Sequence, residues 1–92
     1  MFYLYILQNT NKSFYIGTTK DLQKRIHQHN SNQSKYTKNR GPWKLVYREL
    51  YSTRSEAMKR EYFIKAQKSR NFIFSLIISQ NNSDAIDIAR PD

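Results

Sequence analysis

The sequence predicts an α+β domain in which helices flank a three-stranded antiparallel sheet, with the elements in the order β-β-α-β-α-α. Two short aromatic and aliphatic segments at the start are joined by a polar connection, which is typical of a β-hairpin. A third segment of this kind lies in mid-chain, and apolar residues at helical spacing precede and follow it. The chain has 92 residues, which is enough for one domain with a modest core.

The hairpin is predicted from the first eighteen residues. The first strand covers 2–7, the second covers 13–18, and the polar residues 8–12 connect them. Gly17, near the end of the second strand, has no Cβ, so another group can approach the backbone closely there.

The first helix is predicted from residue 20 to about residue 30. Thr18 or Thr19 is expected to cap it, with Asp21 in the first turn, where a negative charge is favourable. Arg25 should lie beside the residues that face inward at helical spacing, which are Leu22, Ile26 and His29.

The second half of the chain predicts a loop, a strand and two further elements. Residues 31–42 form the loop and 43–51 the strand. Its two faces are expected to carry Leu45, Tyr47 and Glu49 on one side, and Val46, Arg48 and Leu50 on the other. The sequence from Thr53 to Glu56 matches a capping box, which predicts a helix to about Lys68. Residues 71–79 fit a helix and also a buried strand.

The domain is expected to occupy 1–79, with residues 80–92 as a flexible polar tail.

Composition limits the classes of function. The chain contains no cysteine, which excludes disulfides, thiolate metal sites and cysteine nucleophiles. Its apolar runs are too short to cross a membrane and no signal peptide is visible, so a cytoplasmic location is expected.

Positive charge is concentrated in the middle of the chain. Sixteen Lys and Arg face seven Asp and Glu, for a net charge of +9. The stretch from Lys20 to Arg70 alone has fourteen basic and four acidic residues. Such a field attracts polyanions, and nucleic acid is a better explanation for it than solubility or membrane binding.

Four residues are expected to meet on one surface of the sheet and the first helix: Tyr5, Tyr15, Arg25 and His29. Two phenols, a guanidinium and an imidazole in one place can deprotonate a water and hold a phosphate. In a strongly basic protein, this combination indicates chemistry on nucleic acid.

The motifs of the chain resemble those of small stand-alone bacterial GIY-YIG nuclease domains of the UPF0213-like type. Tyr3-Leu4-Tyr5 stands where the family name has Gly-Ile-Tyr, and Tyr15-Ile16-Gly17 is intact. The resemblance continues from Thr18 through Arg25 and His29. It extends over residues 2–77 through three further segments: Lys35-Tyr36-Thr37, Arg40 to Tyr47, and Ser55-Glu56-Ala57 followed by Glu61 and Ile64-Lys65.

The resemblance implies phosphodiester hydrolysis with one divalent metal ion, Mg²⁺ or Mn²⁺, held by Glu61. Tyr5 or Tyr15 would take a proton from the attacking water, directly or by relay. Arg25 would bind the scissile phosphate and stabilise its developing charge. His29 would hydrogen-bond the phosphate or the water.

A late Asn or Lys of the family is matched only weakly, by Asn71. Contacts to the nucleic-acid backbone are expected from cations on the first helix and the loop, and a loop tyrosine is placed to stack on a base. These candidates are Lys20, Lys24, Lys35, Tyr36, Lys38 and Arg40.

Spacing alone leaves structural alternatives open for these residues. Arg25 is also placed to pair with Asp21 at i−4, and Glu61 with Lys65 at i+4. His29 is also the kind of residue that the helix dipole favours at a helix end.

The sequence therefore predicts a metal-dependent endonuclease that hydrolyses DNA with structural rather than sequence selectivity, in DNA repair or recombination. The expected partners are duplex or branched DNA, with RNA as a further candidate, and a targeting protein or a second copy of the chain. The alternative is a non-catalytic DNA- or RNA-binding module on the same fold. A small basic protein bound to structured RNA is a third class.

Overall fold

The computed structural model describes the backbone of residues 1–89 and the side-chain surroundings of residues 1–80. Its elements are β1 (Phe2–Asn9), β2 (Phe14–Thr19), α1 (Leu22–Asn30), β3 (Trp43–Tyr51), α2 (Arg54–Ala66) and α3 (Arg70–Ala89). The strands form one antiparallel sheet in the order β2-β1-β3. This confirms the predicted α+β class and the order β-β-α-β-α-α.

The β1–β2 hairpin is closed by a buried asparagine. Asn9 Oδ1 accepts hydrogen bonds from the backbone N–H groups of Asn11, at 3.1 Å, and Ser13, at 2.9 Å. Its Nδ2 donates to the carbonyl of Arg40 at 3.0 Å, which attaches the 31–42 loop to the hairpin. Because the turn is fixed in this way, the strands pair in a register that sets Tyr5 opposite Gly17.

A register shift between β1 and β3 corrects the predicted faces of β3. Ile6 pairs with Tyr47 whereas Leu7 pairs with Leu45, so Val46 is an extra residue on β3. Leu45 therefore packs on the face of the sheet opposite to Tyr47, although simple alternation predicts that they share one.

The alternating side chains of β1 supply two cores. Leu4 and Ile6 pack with Ile64 of α2 and Ile73 of α3. Tyr5 and Leu7 point the other way, with their partners Leu22 of α1 and Trp43 of β3. Trp43 is thus a core residue at the start of β3.

A polar cluster adjoins the core beneath α2, and we call it the Glu49 cluster. The Glu49 carboxylate accepts hydrogen bonds from the hydroxyls of Tyr47 and Tyr51 and from Arg60 Nε, at 3.0 Å. Burial works against the charge of Glu49, but its three donors outweigh burial and lower the pKa of the carboxyl. Burial raises the pKa of Tyr47 and of Tyr51 to about 12, and the hydrogen bond to Glu49 and the negative charge of Glu49 act in the same direction.

Helix caps show one difference from the sequence prediction. Asp21 is the N-cap of α1 and its side chain accepts from the Lys24 N–H, whereas Thr18 and Thr19 belong to β2. A carboxylate at this position meets the same unpaired N–H groups that a threonine would. The capping box of Thr53 and Glu56 is present at the start of α2, as predicted.

The segment 71–79 is helical, which resolves the ambiguity of its sequence. Ser69 Oγ accepts from the Phe72 N–H at 3.1 Å in the first turn of α3. The helix continues to Ala89 and crosses the predicted boundary at 79 without a break. Residues 90–92 of the predicted tail lie outside the described residues. Within the described part of the chain, no helix is long and apolar enough to span a membrane.

Candidate active site

The hairpin register explains why the motif Tyr15-Ile16-Gly17 ends in glycine. The phenol of Tyr5, which is 1% exposed, lies across Gly17 on the paired strand. A Cβ at residue 17 would lie 2.7 Å from Tyr5 Oη, closer than non-bonded atoms tolerate. Gly17 therefore makes room for a tyrosine side chain, and the tyrosine it accommodates is the one in the degenerate first motif.

His29 is fully buried and uses both ring nitrogens. Its Nε2 is 2.9 Å from Tyr5 Oη, and its Nδ1 is 2.7 Å from Thr37 Oγ1. The Thr37 side chain is itself buried, and its carbonyl accepts from Trp43 Nε1 at 3.2 Å. A neutral imidazole donates from one nitrogen and accepts at the other, so Thr37 and Tyr5 together fix its orientation.

Tyr15 and Arg25 complete what we call the Tyr5 cluster, which consists of Tyr5, Tyr15, Arg25 and His29. The Tyr15 ring lies 4.7 Å from that of His29 and 6.2 Å from that of Tyr5, measured between centroids. Tyr15 and Arg25 are partly exposed, whereas Tyr5 and His29 are buried. Arg25 Nη1 donates to Gln28 Oε1 at 3.0 Å, which turns the guanidinium along α1.

The electrostatics of the cluster separate its members. Burial raises the pKa of Tyr5 to about 12, with hydrogen bonding to Arg25 as an opposing influence. Burial lowers the pKa of His29 to about 4, and the charge of Arg25 acts in the same direction. Desolvation opposes the charge of Arg25, but the two phenols outweigh desolvation and raise its pKa. At neutral pH, the cluster thus holds a protonated Tyr5, a neutral His29 and a cationic Arg25.

Glu61 on α2 contributes a negative charge that acts on this cluster. Its charge acts on Tyr5 in the direction that raises the phenol's pKa. The carboxylate is 22% exposed, and Oε2 lies 2.5 Å from Nζ of Lys65, one turn later. The structural alternative that spacing left open for Glu61, a pair with Lys65, is therefore present.

The carboxylate of Glu61 can bind one hard divalent ion only if waters and substrate oxygens complete the coordination shell of the ion. Among the described residues, no group of three His, Cys, Asp or Glu could hold a metal. Glu61 offers a partly exposed carboxylate, and Mg²⁺ and Mn²⁺ are bound in many proteins by one or two carboxylates plus waters and substrate oxygens.

A cleft of about 480 Å³ opens beside Tyr15. Two asparagines hold the loop that forms one of its walls. Asn9 bonds to the carbonyl of Arg40, and Asn30 accepts from the Trp43 N–H at 2.6 Å and donates to the Trp43 carbonyl at 3.1 Å. The lining combines aromatic and cationic side chains: Phe14, Tyr15, Ile16, Tyr36, Thr37, Arg40, Trp43 and Lys65.

The nucleic-acid candidates from the sequence divide into two groups. Tyr36, which is 71% exposed, and Arg40 line the cleft, and Lys35 and Lys38 are exposed on the same loop. Lys20 and Lys24 are exposed around the start of α1. Lys20 Nζ lies 5.5 Å from the centroid of the Phe2 ring.

Asn71 is the one predicted site residue on α3. It is exposed in the first turn of α3, and no side-chain hydrogen bond within residues 1–80 joins it to the Tyr5 cluster. The neighbouring Arg70 contacts the hairpin turn instead, through a 2.6 Å hydrogen bond from Nη2 to the Lys12 carbonyl.

Sequence reasoning missed two residues of the site, Thr37 and Lys65. Thr37 lies within the Lys35-Tyr36-Thr37 segment, where its polarity resembled that of an ordinary loop residue. Its burial against His29 depends on the fold of the loop, which no periodicity reports. Lys65 was named in the Ile64-Lys65 segment and as a partner of Glu61, but not as part of a substrate cleft, which it also lines.

The chain is similar to a known domain family and to bacterial proteins of known sequence. Residues 1–73 match the family model described as GIY-YIG catalytic domain. A UPF0213 protein of Staphylococcus saprophyticus is 53% identical over 64 residues, which cover 68% of this chain and 78% of that protein. A UPF0213 protein of Clostridium perfringens is 46% identical over 82 residues, which cover 88% and 87%.

A solved structure is similar as well. The solution NMR structure of the UPF0213 protein BH0048 from Bacillus halodurans superposes with a TM-score of 0.53 at 39% identity, covering 84% of this chain and 83% of that one. The motifs, the sheet that carries them and the match over most of the residues lead to one conclusion: the chain belongs to the GIY-YIG family.

Proposed function

We propose that the protein is a metal-dependent endonuclease that hydrolyses phosphodiester bonds in DNA. One observation carries the proposal. The buried half of the Tyr5 cluster, Tyr5 and His29, supports a partly exposed half, Tyr15 and Arg25, and Tyr15 lines the cationic cleft. Such an arrangement holds reactive groups at fixed positions where a phosphate can reach them.

Tyr15 is the better candidate for taking a proton from the attacking water. It is partly exposed and lines the cleft, whereas Tyr5 is 1% exposed. A phenol whose pKa is about 12 and whose hydroxyl faces His29 is a poor base near neutral pH. Tyr5 and His29 then act as positioning residues: they orient Tyr15 through ring contacts at 6.2 and 4.7 Å.

Arg25 is the candidate for binding the scissile phosphate. It donates to the neutral amide of Gln28 and forms no ion pair with a carboxylate within residues 1–80, so its positive charge is available to an anion. A guanidinium binds two phosphate oxygens at once and is most stabilising when charge develops on them in the transition state.

Glu61 is the residue that would hold the divalent ion, Mg²⁺ or Mn²⁺. The bound ion would supply a positive charge that polarises the phosphate and lowers the pKa of a water. To bind the ion, Glu61 would have to break its ion pair with Lys65, whose ammonium contacts the carboxylate at 2.5 Å. Lys65 lines the cleft, and once released it is placed to bind a phosphate oxygen.

The cleft favours nucleic acid as the substrate class. Arg40 and Lys65 provide charge for phosphates, and Tyr36 provides an exposed ring for a base. Contacts to phosphates and stacking on a ring carry little sequence information, so we expect selectivity for DNA shape, duplex or branched. We place the activity in DNA repair or recombination, with a targeting protein or a second copy of the chain as the source of further selectivity.

The test is cleavage of labelled duplex, branched and single-stranded DNA with Mg²⁺ or Mn²⁺. We compare the parent protein with Glu61→Gln and with Glu56→Gln, a control on the same helix whose carboxylate belongs to the capping box. We expect cutting by the parent and the control, and loss of cutting with retained DNA binding in Glu61→Gln. If Glu61→Gln still cuts DNA, Glu61 is not the residue that holds the metal ion.

The Glu61–Lys65 ion pair also favours a second candidate, a DNA-binding module without catalysis. In that case the carboxylate serves Lys65 and stabilises α2. This candidate predicts that the parent and both variants bind DNA and that none cuts it under any of the metal conditions.

A further inference from the structure

A second cationic cleft lies at the opposite end of β2. It measures about 200 Å³ and is lined by Phe2, Thr18, Thr19, Lys20 and Arg54. We call it the Arg54 cleft. The cleft beside Tyr15 contacts β2 at residues 14–16, so the two clefts occupy the two ends of this strand.

The helix α2 reaches both clefts as well. Arg54, its first residue, lines the Arg54 cleft, and Lys65, near its end, lines the cleft beside Tyr15. Glu61 lies between them in sequence. The motif residues Tyr15 and Gly17 and the metal candidate are therefore bracketed by cationic surface on each side.

The spacing of the clefts suits a nucleic-acid strand. Five residue steps along β2 extend about 16 Å. The eleven steps from Arg54 to Lys65 along a helix also extend about 16 Å. One strand of B-form DNA places a phosphate about every 3.4 Å along the helix axis, so this distance covers about five phosphates.

The two cations of the Arg54 cleft form no ion pair with an acid within residues 1–80. Among residues 1–80, the ion pairs are Arg60–Glu49 and Lys65–Glu61, which leaves Lys20 and Arg54 outside any pair. The acids adjacent in sequence serve helix caps: Asp21 accepts from the Lys24 N–H, and Glu56 accepts from Thr53.

Arg54 is also placed where a cation does not help folding. It is exposed at the first position of α2, next to the positive end of the helix dipole. A cation there is electrostatically unfavourable for the helix, so its presence agrees better with an anionic ligand than with stability.

We propose that the Arg54 cleft is a phosphate-binding subsite for the nucleic-acid strand, on the far side of the scissile position from the cleft beside Tyr15. The strand runs along the β2 edge, with Lys20 and Arg54 contacting phosphates at one end and Arg40 and Lys65 at the other. This inference rests on the proposed function, and it adds the path of the substrate through the site.

The experiment measures binding of fluorescently labelled duplex DNA in EDTA, so that no cleavage interferes, over a range of salt concentrations. The variants are Arg54→Gln and the matched control Arg48→Gln. Arg48 is exposed on β3, which is the opposite edge of the sheet. Thermal unfolding of each variant is measured in parallel.

We expect Arg54→Gln to weaken binding about tenfold and to reduce the slope of log K against log salt by about one, as the loss of one phosphate contact does. Arg48→Gln should stay close to the parent. Because Arg54 opposes the helix dipole, its replacement should leave the melting temperature unchanged or slightly raised, which separates lost contact from lost folding.

Two results would overturn the inference, and they are distinguishable. If Arg54→Gln binds DNA as Arg48→Gln does, the Arg54 cleft is no subsite, and the proposed nuclease function is unaffected. If the parent protein binds no DNA at any salt concentration, the subsite and the proposed function fail together.

Discussion

The two faces of the sheet carry polar clusters of nearly the same composition. In one cluster the arginine is paired with a carboxylate, and in the other it is not. The Tyr5 cluster has two tyrosines, an arginine and a histidine, and the Glu49 cluster has two tyrosines, an arginine and a glutamate. In the Glu49 cluster, the carboxylate collects the donors and neutralises Arg60 at 3.0 Å. In the Tyr5 cluster, the place of the carboxylate is taken by His29, whose pKa of about 4 keeps it neutral.

This difference separates a polar cluster that serves the fold from one that we propose to be reactive. The Glu49 cluster is closed, because each of its charges is paired within it. The Tyr5 cluster keeps a net positive charge on Arg25 and presents Tyr15 to a cleft. A cluster that holds an unpaired charge can bind a ligand of the opposite charge.

The largest contrast is expected between the two arginines. Arg25→Gln should reduce the cleavage rate by about 10²–10³-fold, because a transition-state contact to the phosphate is lost. It should leave the free energy of unfolding nearly unchanged, since Arg25 is partly exposed. Cleavage kinetics and urea unfolding of the same preparations measure both quantities.

The matched variant is Arg60→Gln, which should behave in the opposite way. It leaves Glu49 without its counterion, so we expect a loss of about 1–2 kcal/mol in unfolding free energy and an unchanged rate per folded molecule. Equal effects of the two variants on cleavage would remove the distinction between the clusters.

The next effect is a dependence of stability on pH that comes from His29. Its pKa falls from an ordinary 6.5 to about 4 in the folded protein, so the unfolded chain binds more protons between these values. The contribution of His29 to the free energy of unfolding is therefore fully present above pH 6.5. It is lost as the pH falls toward 4, by at most about 3 kcal/mol. Urea unfolding across this range measures it.

His27 provides the control for this prediction, because it is exposed two residues earlier on the same helix. His27→Gln should retain the pH dependence of the parent, whereas His29→Gln should flatten it between pH 4 and 6.5. An unchanged pH profile in His29→Gln would show that the imidazole does not titrate as the burial implies.

A smaller effect is expected at the two glycines of the chain. Gly17→Ala places a methyl group 2.7 Å from Tyr5 Oη, so Tyr5 has to move, at a cost of about 1–3 kcal/mol. Gly41→Ala meets nothing closer than 3.4 Å and should cost less. Thermal unfolding gives the comparison, and a larger loss in Gly41→Ala would contradict the close approach of Tyr5 and Gly17.

The smallest effect is expected at Thr37. Thr37→Val removes the hydroxyl that contacts His29 Nδ1 at 2.7 Å, and we expect a loss of about 1 kcal/mol. The ¹⁵N chemical shifts of the His29 ring should change as well, since the partner that fixes its tautomer is gone. Thr37→Ser keeps the hydroxyl and should restore the parent spectrum. If Thr37→Val leaves the ring shifts unaltered, Thr37 does not set the tautomer.

Local patterns in the sequence are sufficient for most of the fold. The aromatic and aliphatic run of β1, the capping box at Thr53 and the apolar spacing of α1 each depend on neighbours in the chain, and each prediction is confirmed. The predicted faces of Leu45 and Val46 were wrong because a bulge depends on how two distant strands pair. Residues 71–79 stayed ambiguous because their environment, rather than their periodicity, decides between helix and strand.

The candidate site was predictable where motifs mark it and not where loop packing builds it. Tyr5, Tyr15, Arg25 and His29 lie together, as expected from the hairpin and α1. Burial was not foreseeable from the sequence, so nothing in the sequence distinguished the supporting Tyr5 from the accessible Tyr15. Thr37 reaches His29 only through the irregular 31–42 loop, whose path is set by long-range hydrogen bonds to Asn9 and Asn30.

The most direct test of the central claim compares one tyrosine from each cluster, Tyr15→Phe and Tyr47→Phe, for both DNA cleavage and unfolding free energy. We predict that Tyr15→Phe slows cleavage by about 10²-fold or more with stability retained, because the proton acceptor is removed. Tyr47→Phe should cost about 1–2 kcal/mol of stability and leave cleavage by the folded protein intact. Full cleavage activity in Tyr15→Phe would contradict the assignment of the Tyr5 cluster as the reactive one.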